Sequence, residues 1–149
     1  MKERFMVPSA VFALIIKDGQ ILLQKRQNTG YKDGYYDVGA SGHVEADESM
    51  EMALVREVRE ELGIEVSTLE FVTMCHKYDQ DSKRTYYNGY FLVKCYEGEI
   101  MINEPEKCSE LIWVDLDDLP ELLIDDRKEA INNYLNKIAY SEYGWNKKK

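Results

Sequence analysis

The sequence has little that would suit a membrane, a disulfide-stabilised fold or a zinc site. Its apolar runs stay well short of the roughly 18 residues that cross a bilayer. The N-terminal residues MKERFMVPSA lack the pattern of a secretory signal peptide. The three cysteines are odd in number and show no Cys-x-x-Cys spacing, so neither a disulfide framework nor a zinc site is expected. We therefore expect reduced thiols and a cytoplasmic protein.

Basic residues are in deficit. The 149 residues include 19 Lys and Arg against 28 Asp and Glu, which gives a formal net charge of −9. Nucleic-acid polymers and anionic membranes attract basic surfaces, so neither is an expected partner. The basic end of the chain, about residues 144–149, is expected to be a flexible tail.

The length fits a single domain, and no repeat, low-complexity tract or long linker divides it. Runs of apolar and β-branched residues predict strands in five segments: residues 7–17, 21–26, 65–78, 85–96 and 111–114. Asp18-Gly19 predicts a hairpin turn between the first two strands. A closing helix is expected from about 125 to 140. This order of elements is typical of an α+β fold.

The stretch from Gly42 to Ile64, GHVEADESMEMALVREVREELGI, is predicted to run from a loop into a helix. Asp47 or Ser49 suits the start of that helix, and Gly63 suits a left-handed end. Apolar residues recur every four positions on one face: Met50, Leu54, Val58 and Leu62. Three carboxylates fall within an arc of roughly 100° beside them: Glu57, Glu60 and Glu61.

Two interpretations of this acidic face are open. Charged helix faces are often simply solvated, and Arg56 and Arg59 would screen the like charges. Alternatively, the carboxylates form a site for a hard divalent cation. Mg²⁺ prefers oxygen ligands and is commonly held by a few carboxylates together with the phosphates of a substrate.

The spacing of the whole stretch resembles the signature of the Nudix hydrolases, the MutT-like pyrophosphohydrolases. The matching positions are Gly42, Glu48, Arg56, Glu57, Val58, Glu60, Glu61, Gly63 and Ile64. The order of the other elements is also similar, so the resemblance covers about residues 5–140. It implies an α/β/α sandwich with a mixed β-sheet between helices, formed by residues 1–149 as one Nudix domain.

The resemblance implies a metal-dependent hydrolase. The expected reaction is Mg²⁺-dependent cleavage of the pyrophosphate bond in a nucleoside diphosphate linked to another group, with Mn²⁺ as a substitute cation. The metal ligands would be Glu57, Glu60, Glu61 and the backbone carbonyl of Ser41. A metal-bound water would attack, and either Glu60 or Glu57 would take its proton.

Other positions of the stretch would support this chemistry. By the same resemblance, Arg56 would pair with Glu48 and orient the helix. Gly42 would let the loop approach the helix closely, and Gly63 would end the helix. A further metal ligand is expected in the loop before the strand at Trp113, with Glu106 preferred to Glu110.

Substrate-binding residues are expected outside this stretch. The candidates are Arg26, Asp125, Asp126 and Tyr36. The guanidinium of Arg26 suits phosphate oxygens. The two aspartates suit a purine edge, although a plain helix N-terminus is the alternative. The tyrosine would stack on a base or simply pack.

The expected substrate is a small nucleotide, foremost a (deoxy)nucleoside triphosphate, with oxidised forms included. Whether the protein forms a homodimer is left open. Two alternatives are a non-catalytic nucleotide-binding module and an enzyme similar to isopentenyl-diphosphate isomerase, which the segment DVGASGH also resembles. The intact glutamates argue against the first. The second needs a cysteine before the acidic stretch, and all three cysteines, at 75, 95 and 108, follow it.

Overall fold

The computed structural model describes residues 2–146. Within this range the elements, in chain order, are β1 (Ser9–Leu14), β2 (Ile16–Lys17), β3 (Gln20–Arg26), β4 (Tyr36–Val38), β5 (Ala40–His43), α1 (Met50–Leu62), β6 (Glu65–Asp79), β7 (Arg84–Glu97), β8 (Cys108–Asp115), α2 (Asp125–Asn136) and β9 (Tyr140–Tyr143). None of the described helices is long and apolar enough to cross a membrane.

The strands form two sheets. The first is mixed, in the order β5-β1-β7-β6-β9, with parallel pairing of β1 to β7 and of β6 to β9. The second is antiparallel: β8 pairs along one edge of β3, and β2 and β4 share the other. The turn at Asp18-Gly19 forms as predicted, with both residues at positive φ (52° and 77°).

Strand β1 lies between two hydrophobic cores. Its alternate residues Val11 and Ala13 join the core under α1, whereas Phe12 and Leu14 join the core under α2. This alternation follows from the two-residue period of a strand. The two helices therefore cover opposite faces of the first sheet, and the predicted α+β sandwich is confirmed.

Helix α1 begins and ends where the sequence indicates. The side chain of Ser49 accepts a hydrogen bond from the Met52 N–H (3.1 Å) and caps the first turn. Gly63 takes the left-handed conformation at φ 72°, and its N–H bonds back to Arg59 O (3.0 Å). The buried residues of α1 lie on one stripe: Ala53, Leu54, Val58 and Leu62.

The predicted end of the closing helix is wrong. Helix α2 ends at Asn136, because Lys137 takes a left-handed conformation (φ 56°), and Tyr140 belongs to a strand that pairs with β6. The tail predicted at about 144–149 is described only as far as residue 146. Trp145 donates from Nε1 to His76 O (2.9 Å) and its ring contacts the imidazole. Residues 147–149 lie outside the described range.

Candidate active site

A cavity of about 720 Å³ is lined by residues of both sheets and of both helices. Residues 41–43 of β5 line it together with two glutamates of α1. On the other side it is lined by basic residues of β3, β6, β7 and α2. The cavity thus has an acidic end and a basic end.

The acidic end is formed by Glu57 and Glu61. One oxygen of Glu61 accepts a hydrogen bond from Gln24 Nε2 (3.1 Å), and the other accepts one from the Ser41 N–H (3.3 Å). Gly42 lies against Glu57 so closely that a β-carbon there would overlap the carboxylate. The loop glycine thus holds the strand next to the helix, as its role in the resemblance implies.

Glu57 and Glu61 place two neighbouring carboxylates at this end of the cavity. Burial raises the pKa of Glu61 well above its usual value, and the neighbouring Glu57 raises it further, against the lowering effect of the Gln24 hydrogen bond. A cation would relieve this repulsion, so the donor set fits a hard divalent ion. No cluster of three or more His, Cys, Asp or Glu side chains positioned to hold a metal occurs within residues 2–146. Of the three predicted carboxylate ligands, Glu57 and Glu61 line the cavity.

Arg56 clamps the glutamates of this stretch. Its Nε and Nη2 donate to the two oxygens of Glu48 (2.7 and 2.9 Å), and its Nη1 donates to Glu57 (2.6 Å). The bidentate pair is the predicted one. The Arg56 guanidinium lowers the pKa of Glu48 to about 2. Arg56 therefore fixes the rotamer of Glu57 and connects α1 to the loop before it.

Glu60 lies at the rim rather than in the cavity. Its side chain is 48% exposed and approaches Arg56 Nη1 at 3.4 Å. Its roles as metal ligand and as base therefore remain predictions that rest on the resemblance.

The acidic residue that lines the cavity outside α1 is Glu104, whereas Glu106 is exposed and is not among the lining residues. Glu110 accepts a hydrogen bond from Tyr36 Oη (2.8 Å). The chain makes a turn at 105–107, so two glutamates only two positions apart have different surroundings. The role of Glu106 as a metal ligand stays a prediction.

The basic end is built on a buried aspartate. Asp37, which is fully buried, accepts from Arg26 Nη1 (2.9 Å) and from Arg127 Nε (2.9 Å). Arg26 also donates from Nε to Tyr31 O (2.8 Å). Arg26 lines the cavity as its predicted role requires, but two of its nitrogen atoms are held by the protein itself.

The same network continues through Asp126. Arg127 Nη1 donates to one oxygen of Asp126 (2.6 Å), and Lys77 Nζ lies 3.2 Å from the other. Burial raises the pKa of Asp126, but Arg127 and Lys77 outweigh burial, so the net pKa is lowered. Lys77 also donates to Tyr31 Oη (2.9 Å).

Three predicted substrate contacts lie outside this cavity, and their roles stay predictions. The carboxylate of Asp126 is bonded to two cations and Asp125 is exposed, and both residues line a second cavity. Tyr36 is not among the residues that line the first cavity. A nearby tyrosine, Tyr31, is: Arg26 and Lys77 each lie 5.4 Å from the centre of its ring.

Sequence reasoning missed Asp37, Lys77 and Arg127. One signal for Arg127 was available. An arginine in the first turn of a helix faces the positive end of the helix dipole, and such a residue calls for a compensating anion. Lys77 carries a weaker signal, since it interrupts an apolar run within β6.

Comparisons with known proteins agree with this geometry. The family model described as the NUDIX domain matches residues 6–134. An ADP-ribose pyrophosphatase of Methanocaldococcus jannaschii is 32% identical over 126 residues, which are 85% of this chain and 72% of that protein. The NAD-capped RNA hydrolase NudC of Escherichia coli is 36% identical over 123 residues, 81% of this chain but only 45% of NudC.

Solved structures share the fold. A MutT NUDIX hydrolase of Burkholderia pseudomallei superposes with a TM-score of 0.79 at 29% identity, covering 87% of this chain and 98% of that one. The ORF135 protein of E. coli superposes with a TM-score of 0.73 at 30% identity, covering 87% and 89%.

Proposed function

The chain belongs to the Nudix family of hydrolases, which act on phosphoric anhydrides, and we propose that it cleaves the pyrophosphate bond of a (deoxy)nucleoside triphosphate with Mg²⁺. The observation that carries the proposal is the pairing of Glu57 with Glu61 at one end of a cavity whose other end is basic. Such a cavity suits a substrate that brings phosphates and a divalent cation together.

The residues of the acidic end have separate tasks in this proposal. Glu61 binds the cation, and its hydrogen bonds from Gln24 and Ser41 fix its orientation. Glu57, held by Arg56, accepts the proton of the attacking water at Oε2, the oxygen that does not bond to Arg56. Glu60 completes the cation site by family resemblance. The bound cation supplies charge to the phosphate oxygens and acidifies water.

The triphosphate is the first candidate by the resemblance to MutT-like pyrophosphohydrolases, and this chain covers 98% of the solved structure that is named MutT. The expectation that the substrate is an oxidised purine nucleotide depended on a free pair of aspartates. Asp126 is not free, because it is bonded to Lys77 and Arg127.

A panel of nucleotides incubated with purified protein and Mg²⁺ or Mn²⁺ tests the proposal. A nucleoside triphosphate should yield a nucleoside monophosphate and pyrophosphate, separated by ion-exchange chromatography. Glu57→Gln and Glu61→Gln should each lower kcat by about 10²-fold or more. Glu51→Gln is the matched control, because Glu51 is an exposed residue of the same helix. Absence of turnover, or full turnover in both variants, would refute the proposal.

ADP-ribose is the second candidate substrate. The relative named as an ADP-ribose pyrophosphatase is similar over 85% of this chain, which favours it specifically. The same panel separates the candidates, since ADP-ribose would give AMP and ribose 5-phosphate without pyrophosphate.

The two other readings have weaker support. An isomerase similar to the isopentenyl-diphosphate enzymes would need a reactive thiol. Cys108 lines the cavity, but burial raises the pKa of its thiol, which disfavours the thiolate. A non-catalytic binding module would not need the Arg56 clamp that holds Glu57.

A further inference from the structure

Asn88 carries an unused hydrogen-bonding group at the cavity. It lies on β7, is only 3% exposed and lines the cavity that contains Glu57 and Glu61. Its Oδ1 atom is buried and has no hydrogen-bond partner within residues 2–146. Buried polar atoms are normally paired, so an unpaired amide oxygen on a residue that lines a cavity indicates a partner supplied from the cavity.

The direction of the side chain follows from the strand. A β-carbon on the next residue, Gly89, would contact Met50 of α1, so Asn88 points to the opposite face of the sheet. Among residues 2–146, three others have an unpaired buried side-chain atom, namely Thr73, Tyr90 and Glu129. None of them is among the lining residues of the cavity.

The distance of Asn88 from the acidic end matches the length of a nucleoside monophosphate. In the sheet, Ala10 of β1 pairs with His43 of β5 on one side and with Asn88 on the other. Asn88 is therefore two strand spacings, about 10 Å, from the strand that contacts Glu57 and Glu61. That is close to the reach of a nucleoside monophosphate from its phosphate to the far edge of its base.

On β1, the cavity surface between His43 and Asn88 carries no bulky side chain. Ala10 is a small residue that lines the cavity between His43 and Asn88. Tyr86, two residues before Asn88 on the same face of β7, also lines the cavity and is half-buried. Its ring offers a surface on which a planar base can stack.

We propose that Asn88 recognises the nucleobase and that its amide pairs with the amino group and adjacent ring nitrogen of adenine. The unpaired Oδ1 would accept from the amino group, and Nδ2 would donate to the ring nitrogen, which is the pairing an asparagine makes with adenine. The proposal rests on the proposed function for the position of the phosphates at the acidic end.

Product binding tests this directly, without turnover. We would measure the affinities of AMP, GMP and the base-free ribose 5-phosphate in the presence of Mg²⁺ by NMR titration of ¹⁵N-labelled protein. Wild-type protein should bind AMP about tenfold more tightly than GMP or ribose 5-phosphate. The side-chain amide signal of Asn88 should shift with AMP and stay in place with ribose 5-phosphate.

Two variants change the chemistry of position 88. Asn88→Leu keeps the size of the side chain and should reduce AMP affinity about tenfold, leaving ribose 5-phosphate affinity unchanged. Asn88→Asp offers acceptors only, so it should favour GMP, whose base edge presents two adjacent donors. Asn133→Leu is the control, because Asn133 is a buried asparagine of α2 that bonds Ser141 and is not among the lining residues.

The outcomes separate the two proposals. If AMP binds no better than ribose 5-phosphate, or if the Asn88 variants change both affinities equally, base recognition by Asn88 is refuted. Because Asn88→Asp inverts a preference, its result stands even if Asn88→Leu fails to fold. If AMP binds as expected but no nucleotide is hydrolysed, the proposed hydrolysis fails and base recognition stands.

Discussion

The carboxylate of Glu57 occupies the space that a side chain at position 42 would need. A β-carbon on Gly42 would overlap Glu57 Cδ and Oε1. Gly42 is not among the glycines with positive φ, so the glycine is required by the close approach of β5 to α1 and not by its backbone conformation. This requirement connects a strand residue directly to the chemistry of the site.

Replacing Gly42 by alanine should therefore damage activity more than stability. The new methyl group would displace Glu57, and a misplacement of about 1 Å can cost roughly 10²-fold in rate. We expect kcat/KM to fall on that order while the urea midpoint changes little. Ser41→Ala is the control, because its backbone N–H still donates to Glu61. Full activity in Gly42→Ala would contradict the contact.

Removing Arg127 should unfold the protein far more easily. Arg127 is 5% exposed and pairs with Asp37 and Asp126, which are both buried. Arg127→Met would leave two buried carboxylates short of their partner, at a cost of about 3–5 kcal/mol. Urea denaturation measures this loss. The neighbouring Lys128→Met, which breaks no ion pair recorded within residues 2–146, should change the free energy of unfolding by less than about 0.5 kcal/mol.

Glu48 should stabilise the fold over a defined acidic range. Its pKa is lowered from 4.5 to about 2, chiefly by the hydrogen bonds from Arg56. A lowered pKa means that the stabilisation is complete above pH 4.5 and is lost as the pH falls towards 2. The stability difference between wild type and Glu48→Gln should therefore shrink across that range. A carboxyl titration by NMR should also show the pKa of Glu48 rising in Arg56→Gln.

Glu61 should show the opposite dependence when no divalent cation is present. Its folded pKa is raised above 4.5, so the protonated form is favoured in the folded protein. Its contribution to stability is present below pH 4.5 and is lost as the pH rises through the folded pKa. Glu61→Gln should remove this loss, as chemical denaturation at a series of pH values would reveal.

Cation binding should release protons in the same pH range. A divalent ion competes with the proton held by Glu61 beside Glu57, so Mg²⁺ affinity should increase with pH. Calorimetry in buffers of different ionisation enthalpy would detect the released protons. Glu57→Gln should weaken binding and reduce the release, while Glu51→Gln should match wild type. An equal release in all three proteins would contradict the assignment.

Much of α1 could be read from the chain, because its signals are local. Ser49 caps the helix and Gly63 ends it through contacts within one turn. The pairing of Arg56 with Glu48 also joins residues eight positions apart. The surroundings of Tyr36, Asp125 and Asp126 could not be predicted in this way, since they depend on which distant side chains meet.

The sequence by itself determined the family, the class of reaction and the helix that carries Glu57 and Glu61, because residue identity at fixed spacing determines these. Tertiary structure decided the rest of the site. Asp37 meets Arg127 across 90 positions, Glu104 rather than Glu106 reaches the cavity, and Asn88 is buried beside it. Burial and long-range pairing arise only when the sheets and helices pack. The sequence alone therefore does not distinguish a buried ion pair from a surface charge, although it does identify Gly42 and Glu57 as members of the site.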